Sequence, residues 1–288
     1  MPEEEPKKED SLLRWRRRLL PLLDSTGLRT LSRKIFHKWV RFRYGPDRLV
    51  KAHQNDRIWK LDLDVALRGG NEEFETIHWF RKVVKPGDTV IDVGANVGQM
   101  TLELAHLVGP TGRVYSIEPG EGNLALLRKH IRANGFEDRV IVIPAACAAV
   151  HGGTITFNIF GEDAKAVGSG FTISEAAVEE HVRHGEKHLT VTVPTISLDG
   201  FIAEKGIRPQ VVKIDVEGAE REVFQGASRL LSEIRPQIRF GFHPFAFSDP
   251  VSVDQELRKL FAGNRYEFDS RPPAVLELEE YNICPKTS

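Results

Sequence analysis

Val90-Ile91-Asp92-Val93-Gly94-Ala95-Asn96-Val97-Gly98-Gln99 decides the fold. A β-branched apolar run ends in an acid, a glycine-rich turn follows, and Thr101-Leu102-Glu103-Leu104-Ala105 reads as a helix. A strand that passes through a tight turn into a helix N-terminus is how an α/β protein builds a cofactor site. Gly94 and Gly98 let the chain turn sharply and approach a ligand closely.

Working outward, strand and helix patterns alternate, the signature of a parallel sheet with helical crossovers. Strands are expected at 89–93, 112–117, 140–143, 211–216 and 237–242, with helices at 99–107, 123–134 and 219–232 between them. Gly135 suits a helix C-cap and Ser197 an N-cap. Residues 153–160 and 189–193 read as antiparallel strands around a polar insertion, about 161–188. A helix near 253–261 and two strands near 266–268 and 274–281 close the chain.

Upstream, Arg48 to His53 and Arg57 to Val65 suggest a hairpin, and Asn71 is placed to cap a helix over 72–84. The organisation expected is a tail at 1–10, a basic helical and hairpin extension at 11–70, and a main domain at 71–288.

The 288 residues carry a formal net charge of −1, which gives no general electrostatic case for nucleic-acid binding. Two distant cysteines, Cys147 and Cys284, form no metal or disulfide pattern and suit a reducing compartment. The acidic first residues lack the character of a targeting peptide, and no apolar run reaches the ~20 residues that span a bilayer. A cytoplasmic protein is expected.

Residues 14–43 differ from the rest. Ten basic residues stand against the single acid Asp24, a net charge of +9. Leu28, Leu31, Ile35, Trp39 and Phe42 recur at helical spacing. Such a helix either lays its apolar stripe on its own domain or lies peripherally on an anionic membrane.

The turn itself selects among cofactors. Gly94-Ala95-Asn96-Val97-Gly98 has Asn96 where the dinucleotide fingerprint needs its second glycine. No Gly-Lys-Ser or Gly-Lys-Thr is present, which excludes a P-loop. Asp92 would repel a phosphate and suits a cationic end, while Glu118, ending the second strand, can accept hydrogen bonds from both hydroxyls of a ribose. S-adenosyl-L-methionine meets those demands, with Ala145 and Ala146 after the third strand admitting a flat adenine.

Strand, acid, GxxxG turn and second-strand acid together resemble the class I, Rossmann-like methyltransferases. Val211-Val212-Lys213-Ile214-Asp215-Val216-Glu217-Gly218-Ala219-Glu220 is similar to the signature of the FkbM family within that class. Thr195-Ile196-Ser197-Leu198-Asp199 and Phe224-Gln225-Gly226-Ala227 resemble its flanking pieces. The resemblance, from about Glu75 to Pro244, implies a mostly parallel sheet with helices on both faces. It also implies cofactor-dependent O-methylation, often of sugar or polyketide hydroxyls. One departure is Gly241, where the pattern has an acid before His243-Pro244.

Methyl transfer to a hydroxyl needs alignment and removal of a proton. Asp215 and Glu217 fall at the C-terminal end of a parallel strand, the rim where open α/β sheets bind ligands. Alternation puts Lys213, Asp215 and Glu217 on one side, so Lys213 is expected to pair with one of the acids. Asp215 is the candidate base, Glu217 the candidate acceptor ligand and His243 the alternative base. A neighbouring Lys weakens a carboxylate as a base. His181, His184 and His188 read as a polar face, and no metal is assigned. Two other readings are an NAD-type oxidoreductase, which Asn96 disfavours, and a docked module with an inactive core.

Overall fold

The computed structural model describes residues 42, 45, 48–54, 56–68, 74–160, 171–172, 178–179, 182–183, 188–268 and 279–286. The expectations for the basic segment 14–43 other than Phe42, the Asn71 cap, most of the insertion, and the side chains of His181, His184 and His188 lie outside them. The chain divides into two compact units, residues 1–78 with 132–135, and 79–131 with 136–288.

In the first unit, β1 (Leu49–Gln54) and β2 (Arg57–Asp62) pair antiparallel, with Asp56 at φ 65° in the turn. The second strand stops at Asp62, short of the expected Val65. Leu61, Leu63 and Val65 alternate with Asp62 and Asp64 and so mimic a strand. Asp62 Oδ1 instead accepts the Asp64 amide at 3.0 Å, a turn that starts helix α1 (Leu63–Arg68). Leu63, Val65 and Leu67 are all buried within it. Helix α2 (Phe74–Val83) follows.

The second unit holds a seven-stranded sheet. Its members are β3 (Thr89–Val93), β4 (Arg113–Ile117), β5 (Val140–Ile143), β10 (Val211–Ile214), β11 (Gln237–Phe242), β12 (Tyr266–Phe268) and β13 (Glu279–Pro285). Their order is β12-β13-β11-β10-β3-β4-β5. The five strands from β11 to β5 pair in parallel, and β13 runs against both of its neighbours. The last strand runs on to Pro285, past the expected Tyr281. The direction of winding reverses between β3 and β10, so the ligand crevice of such a sheet falls at the carboxyl ends of these two strands.

Strand parity assigns the faces. Ile91, Val93, Val212, Ile214, Ile238, Phe240 and Phe242 share one core cluster with residues of α5 (Leu198–Lys205), α6 (Glu220–Gln225) and α7 (Pro250–Gly263). Asp92 points to the other face, where Thr101 of α3 (Gln99–Val108) reaches it. Helices thus cover both faces. Helix α4 (Glu121–Asn134) links β4 to β5.

A smaller sheet, order β6-β9-β7-β8, joins β6 (Ala146–Cys147), β7 (Thr154–Phe160), β8 (Phe171–Thr172) and β9 (His188–Ile196). Strands β7 and β9 are antiparallel, as the pattern suggests, and β6 adds to β9 in parallel.

The helix expected over 219–232 is broken in two, α6 and a π-helical turn at Leu230–Ile234. The break falls at Gly226, where a Cβ would lie 2.5 Å from the Ala148 carbonyl oxygen and 2.9 Å from Ser197 Cβ, so the position demands glycine. Asp199 then caps the second piece, accepting from the Arg229 and Leu230 amides at 2.8 Å each. The Leu198-Asp199 and Gly226-Ala227 pieces are therefore one structural lock. Ser197 caps α5 as expected, its Oγ accepting from Gly200 at 3.1 Å.

Candidate active site

The rim is built from the ends of β3, β4, β10 and β11. Gly94 takes φ 75°, and its amide and that of Ala95 donate to the Ile117 carbonyl at 3.0 Å. A Cβ on Gly94 would stand 1.8 Å from the Asp215 carbonyl oxygen, so glycine is demanded by this internal approach rather than by ligand access alone. Gly98, at φ 91°, makes room for Leu127, whose Cδ1 would lie 2.5 Å from a Cβ. Asn96 sits at φ 50°, a left-handed conformation that Asn tolerates. It therefore preserves the turn where a glycine was expected by analogy.

Glu118 is buried at 4% exposure at the end of β4. Its Oε2 accepts the Asn96 amide at 2.8 Å, and its Oε1 accepts the Gly120 amide at 2.9 Å and Asn123 Nδ2 at 3.1 Å. Burial raises its pKa, against the pull of those three donors and with help from Asp92. A carboxylate offers about four acceptor positions. Three are filled from within, so accepting two ribose hydroxyls, as expected from the sequence, requires an internal donor to move.

Asp92 lies beneath the turn, held on both carboxylate oxygens. It is fully buried, and its Oδ2 accepts from Thr101 Oγ1 at 2.6 Å while Lys213 Nζ lies 3.4 Å from Oδ1. With no exposed surface, its carboxylate supports the turn from beneath. Ala145 and Ala146 are also buried, at 4% and 3%, and Ala146 pairs with Thr195 in the small sheet. They share this burial with Glu118, beside the carboxyl end of β5.

Lys213, 6% exposed, pairs with Asp215, one of the two acids expected, and also with Asp92 on the neighbouring strand. Its Nζ lies 3.4 Å from Asp92 Oδ1 and 3.5 Å from Asp215 Oδ2, and donates to the Gly94 carbonyl at 3.3 Å. Strand β10 ends at Ile214, so the expected alternation carries no further than Asp215. Glu217 takes φ 49° in the turn beyond. Burial pushes its carboxyl up to about 7, with the charge of His243 working in the opposite direction.

His243 closes the rim at the end of β11, buried at 5%. Its Nε2 lies 3.5 Å from Asp215 Oδ1, and its Nδ1 lies 2.7 Å from Glu220 Oε1. Burial lowers its pKa, but the Glu220 hydrogen bond and the charges of Glu220, Asp215 and Glu217 together raise it. Gly241 packs tightly against this pair: a Cβ there would lie 3.2 Å from His243 Cε1 and 3.4 Å from Asp215 Oδ1. Phe245, 57% exposed, sets its ring edge-on to the imidazole at 5.7 Å between centroids.

Asp92, Lys213, Asp215 and His243 thus form one chain of charges along the switch point. Glu220 extends it from the first turn of α6. It was not singled out from the sequence, where it is one acid at the end of a signature. Its only local signal is a position six residues past the end of a parallel strand. Among the described residues, no cluster of His, Cys, Asp and Glu has metal-binding geometry.

The model of the "Methyltransferase FkbM domain" matches residues 92–268, more than half of the chain. Among curated proteins, the 31-O-demethyl-FK506 methyltransferase FkbM of Streptomyces tacrolimicus is 32% identical over 166 residues, covering 50% of this chain and 60% of that protein. A probable cobalt-precorrin-6B C(15)-methyltransferase of Saccharolobus solfataricus is 28% identical over 95 residues, covering 33% and 47%. The chain thus spans about half to three fifths of the length of these relatives. A solved structure of methyltransferase FkbM from Methylobacillus flagellatus KT aligns with a TM-score of 0.44 at 16% identity, covering 73% of this chain and 51% of that one. With the match running from Asp92 of the turn through the Lys213–Glu220 signature to the end of β12, the chain belongs to the FkbM methyltransferase domain family.

Proposed function

We propose that this chain is an S-adenosyl-L-methionine-dependent O-methyltransferase whose acceptor is a hydroxyl of a small molecule or glycan. The observation that carries the reading is the Asp215–His243 pair, 3.5 Å apart, on the same rim as the Gly94–Asn96 turn. The 31-O-demethyl compound in the name of the Streptomyces tacrolimicus relative supports a hydroxyl acceptor.

The donor set fits the cofactor. Glu118 keeps about one acceptor position for a ribose hydroxyl after its three internal donors, and the turn's backbone supplies polar groups beside it. When bound, S-adenosylmethionine supplies a methyl group already activated on a sulfonium.

The chain's own residues align the acceptor and take its proton. His243 Nε2 faces Asp215 at the rim and is the atom placed to receive the proton. Asp215 orients the hydroxyl, because Lys213 engages its other oxygen. This reverses the order suggested by the sequence, in which Asp215 leads as base. Glu217 and the exposed Phe245 face offer the acceptor a polar and an apolar contact. An NAD-type oxidoreductase is disfavoured by Asn96, whose side chain occupies the place where a pyrophosphate needs none.

Transfer of labelled methyl from S-adenosylmethionine to sugars, polyketides and protein side chains tests the proposal. Label on the oxygen of a hydroxylated acceptor supports it. Label found only on nitrogen or carbon, or no transfer to any hydroxyl, contradicts it.

A further inference from the structure

We infer that Glu220 is a positioning residue for the proposed reaction: it keeps a proton on Nδ1 of His243, so that whenever the ring is neutral the free lone pair is on Nε2, at the rim beside Asp215. The inference rests on the methyltransferase reading for its catalytic meaning, but its geometry stands apart from it.

Glu220 is completely buried, and a carboxylate is seldom placed there without a partner that needs it. Its Oε1 accepts the Gly218 amide at 3.1 Å and meets His243 Nδ1 at 2.7 Å, while Oε2 has no hydrogen-bond partner. The backbone bond fixes the carboxylate, and the carboxylate in turn fixes the ring. A carboxylate only accepts, so the short contact places hydrogen on Nδ1, and a neutral ring then carries its lone pair on Nε2. As the acceptor's O–H bond breaks, the proton binds Nε2 and the electron pair stays on oxygen; that oxygen would bond to the methyl carbon of the donor as the methyl–sulfur bond breaks, its electron pair leaving on sulfur. The imidazolium so formed has Glu220 already in place against its other nitrogen. This is the logic of a base oriented by a third group.

The charged groups facing His243 are Glu220 from α6, and Asp215 and Glu217 from the turn after β10. Each favours the imidazolium, so the base is competent only above a raised pKa. Removing the Glu220 charge lowers that threshold and weakens the imidazolium at once.

The test is a nitrogen-15 NMR titration of the full chain, with His243 assigned by its loss in His243→Asn. The wild-type ring is expected to show Nδ1–H and a bare Nε2 once neutral. Glu220→Gln keeps an acceptor for Nδ1–H, and its fold is checked by thermal unfolding. In it, the His243 pKa is expected to fall by about one unit or more. The rising limb of the pH–rate profile should shift down by the same amount, with a plateau kcat at least about tenfold lower. A wild-type ring protonated on Nε2, a Glu220→Gln titration unchanged from wild type, or an unchanged plateau rate each overturns the inference. If the Nδ1–H form is found but no hydroxyl is methylated by the wild-type chain, the functional reading fails and the catalytic role of Glu220 with it, while the geometry is confirmed.

Discussion

Lys213 and Asp92 are direct register partners on neighbouring parallel strands, and Lys213 Nζ stands 3.4 Å from Asp92 Oδ1 with both side chains buried. Breaking a buried pair by removing one partner leaves an uncompensated charge, at a cost of about 3–5 kcal/mol. Lys213→Met is therefore expected to lower the unfolding free energy by that amount in urea titration. Adding Asp92→Asn removes the stranded charge and should recover part of the loss. Equal destabilisation in the single and double variants would show that the pair is not coupled.

Gly94 and Gly98 both adopt left-handed backbone, yet they should respond differently to alanine. At Gly94 the new Cβ meets the Asp215 main chain at 1.8 Å, and backbone cannot yield without shifting the rim. Gly94→Ala is expected to abolish cofactor binding or folding outright. At Gly98 the obstacle is the end of the Leu127 side chain, which can rotate, so a loss of about 1–3 kcal/mol is expected from strain and repacking. Circular dichroism melts of the two variants side by side check the ranking.

Glu217 should make the fold less stable as pH rises. Its folded carboxyl is pushed up to about 7 from an ordinary 4.5, so the folded chain keeps a proton that the unfolded chain has released. Stability is therefore lost as pH climbs from about 4.5 through 7. His243 acts in the same direction at higher pH: its raised pKa adds stability below 6.5 that disappears as pH passes its folded value. Glu217→Gln is expected to flatten, without abolishing, the fall in melting temperature between pH 5 and 8, and to be at least as stable as wild type at pH 8. A steeper fall would contradict this.

His243→Asn is expected to reduce kcat by about 10²–10⁴-fold, the range of a lost general base. Asp215→Asn should cost less and act partly through KM for the acceptor, because it orients the hydroxyl. Single-turnover assays with saturating cofactor separate the two, and a larger kcat loss at Asp215 would restore it as the base.

Much of this was legible in the sequence because buried parallel strands are apolar runs of fixed length. Thr89–Val93, Val140–Ile143 and Gln237–Phe242 are found where the pattern puts them. Parity correctly placed Lys213 beside Asp215. It gave no sign that Asp92 is covered by Thr101 or that Lys213 reaches across strands, because both depend on pairing between distant segments. The residues 61–65 misled because alternating Leu and Asp has a strand's period, while one side-chain hydrogen bond from Asp62 starts a helix. The break at Gly226 was hidden for a similar reason: the approach of Ala148 that demands glycine there comes from far away in sequence. Glu220 escaped notice because its partner, His243, lies on the next strand.

The central claim is that the turn at Gly94–Gly98 and the buried Glu118 hold S-adenosylmethionine. Isothermal titration calorimetry of the full chain with S-adenosylmethionine, S-adenosylhomocysteine and NAD tests it without knowledge of the acceptor. Saturable one-site binding of the two sulfur compounds is expected, with no heat from NAD and at least about tenfold weaker binding in Glu118→Ala, whose loss removes a charged hydrogen-bond acceptor. A folded wild-type chain that binds neither sulfur compound, or binds NAD instead, would contradict the account.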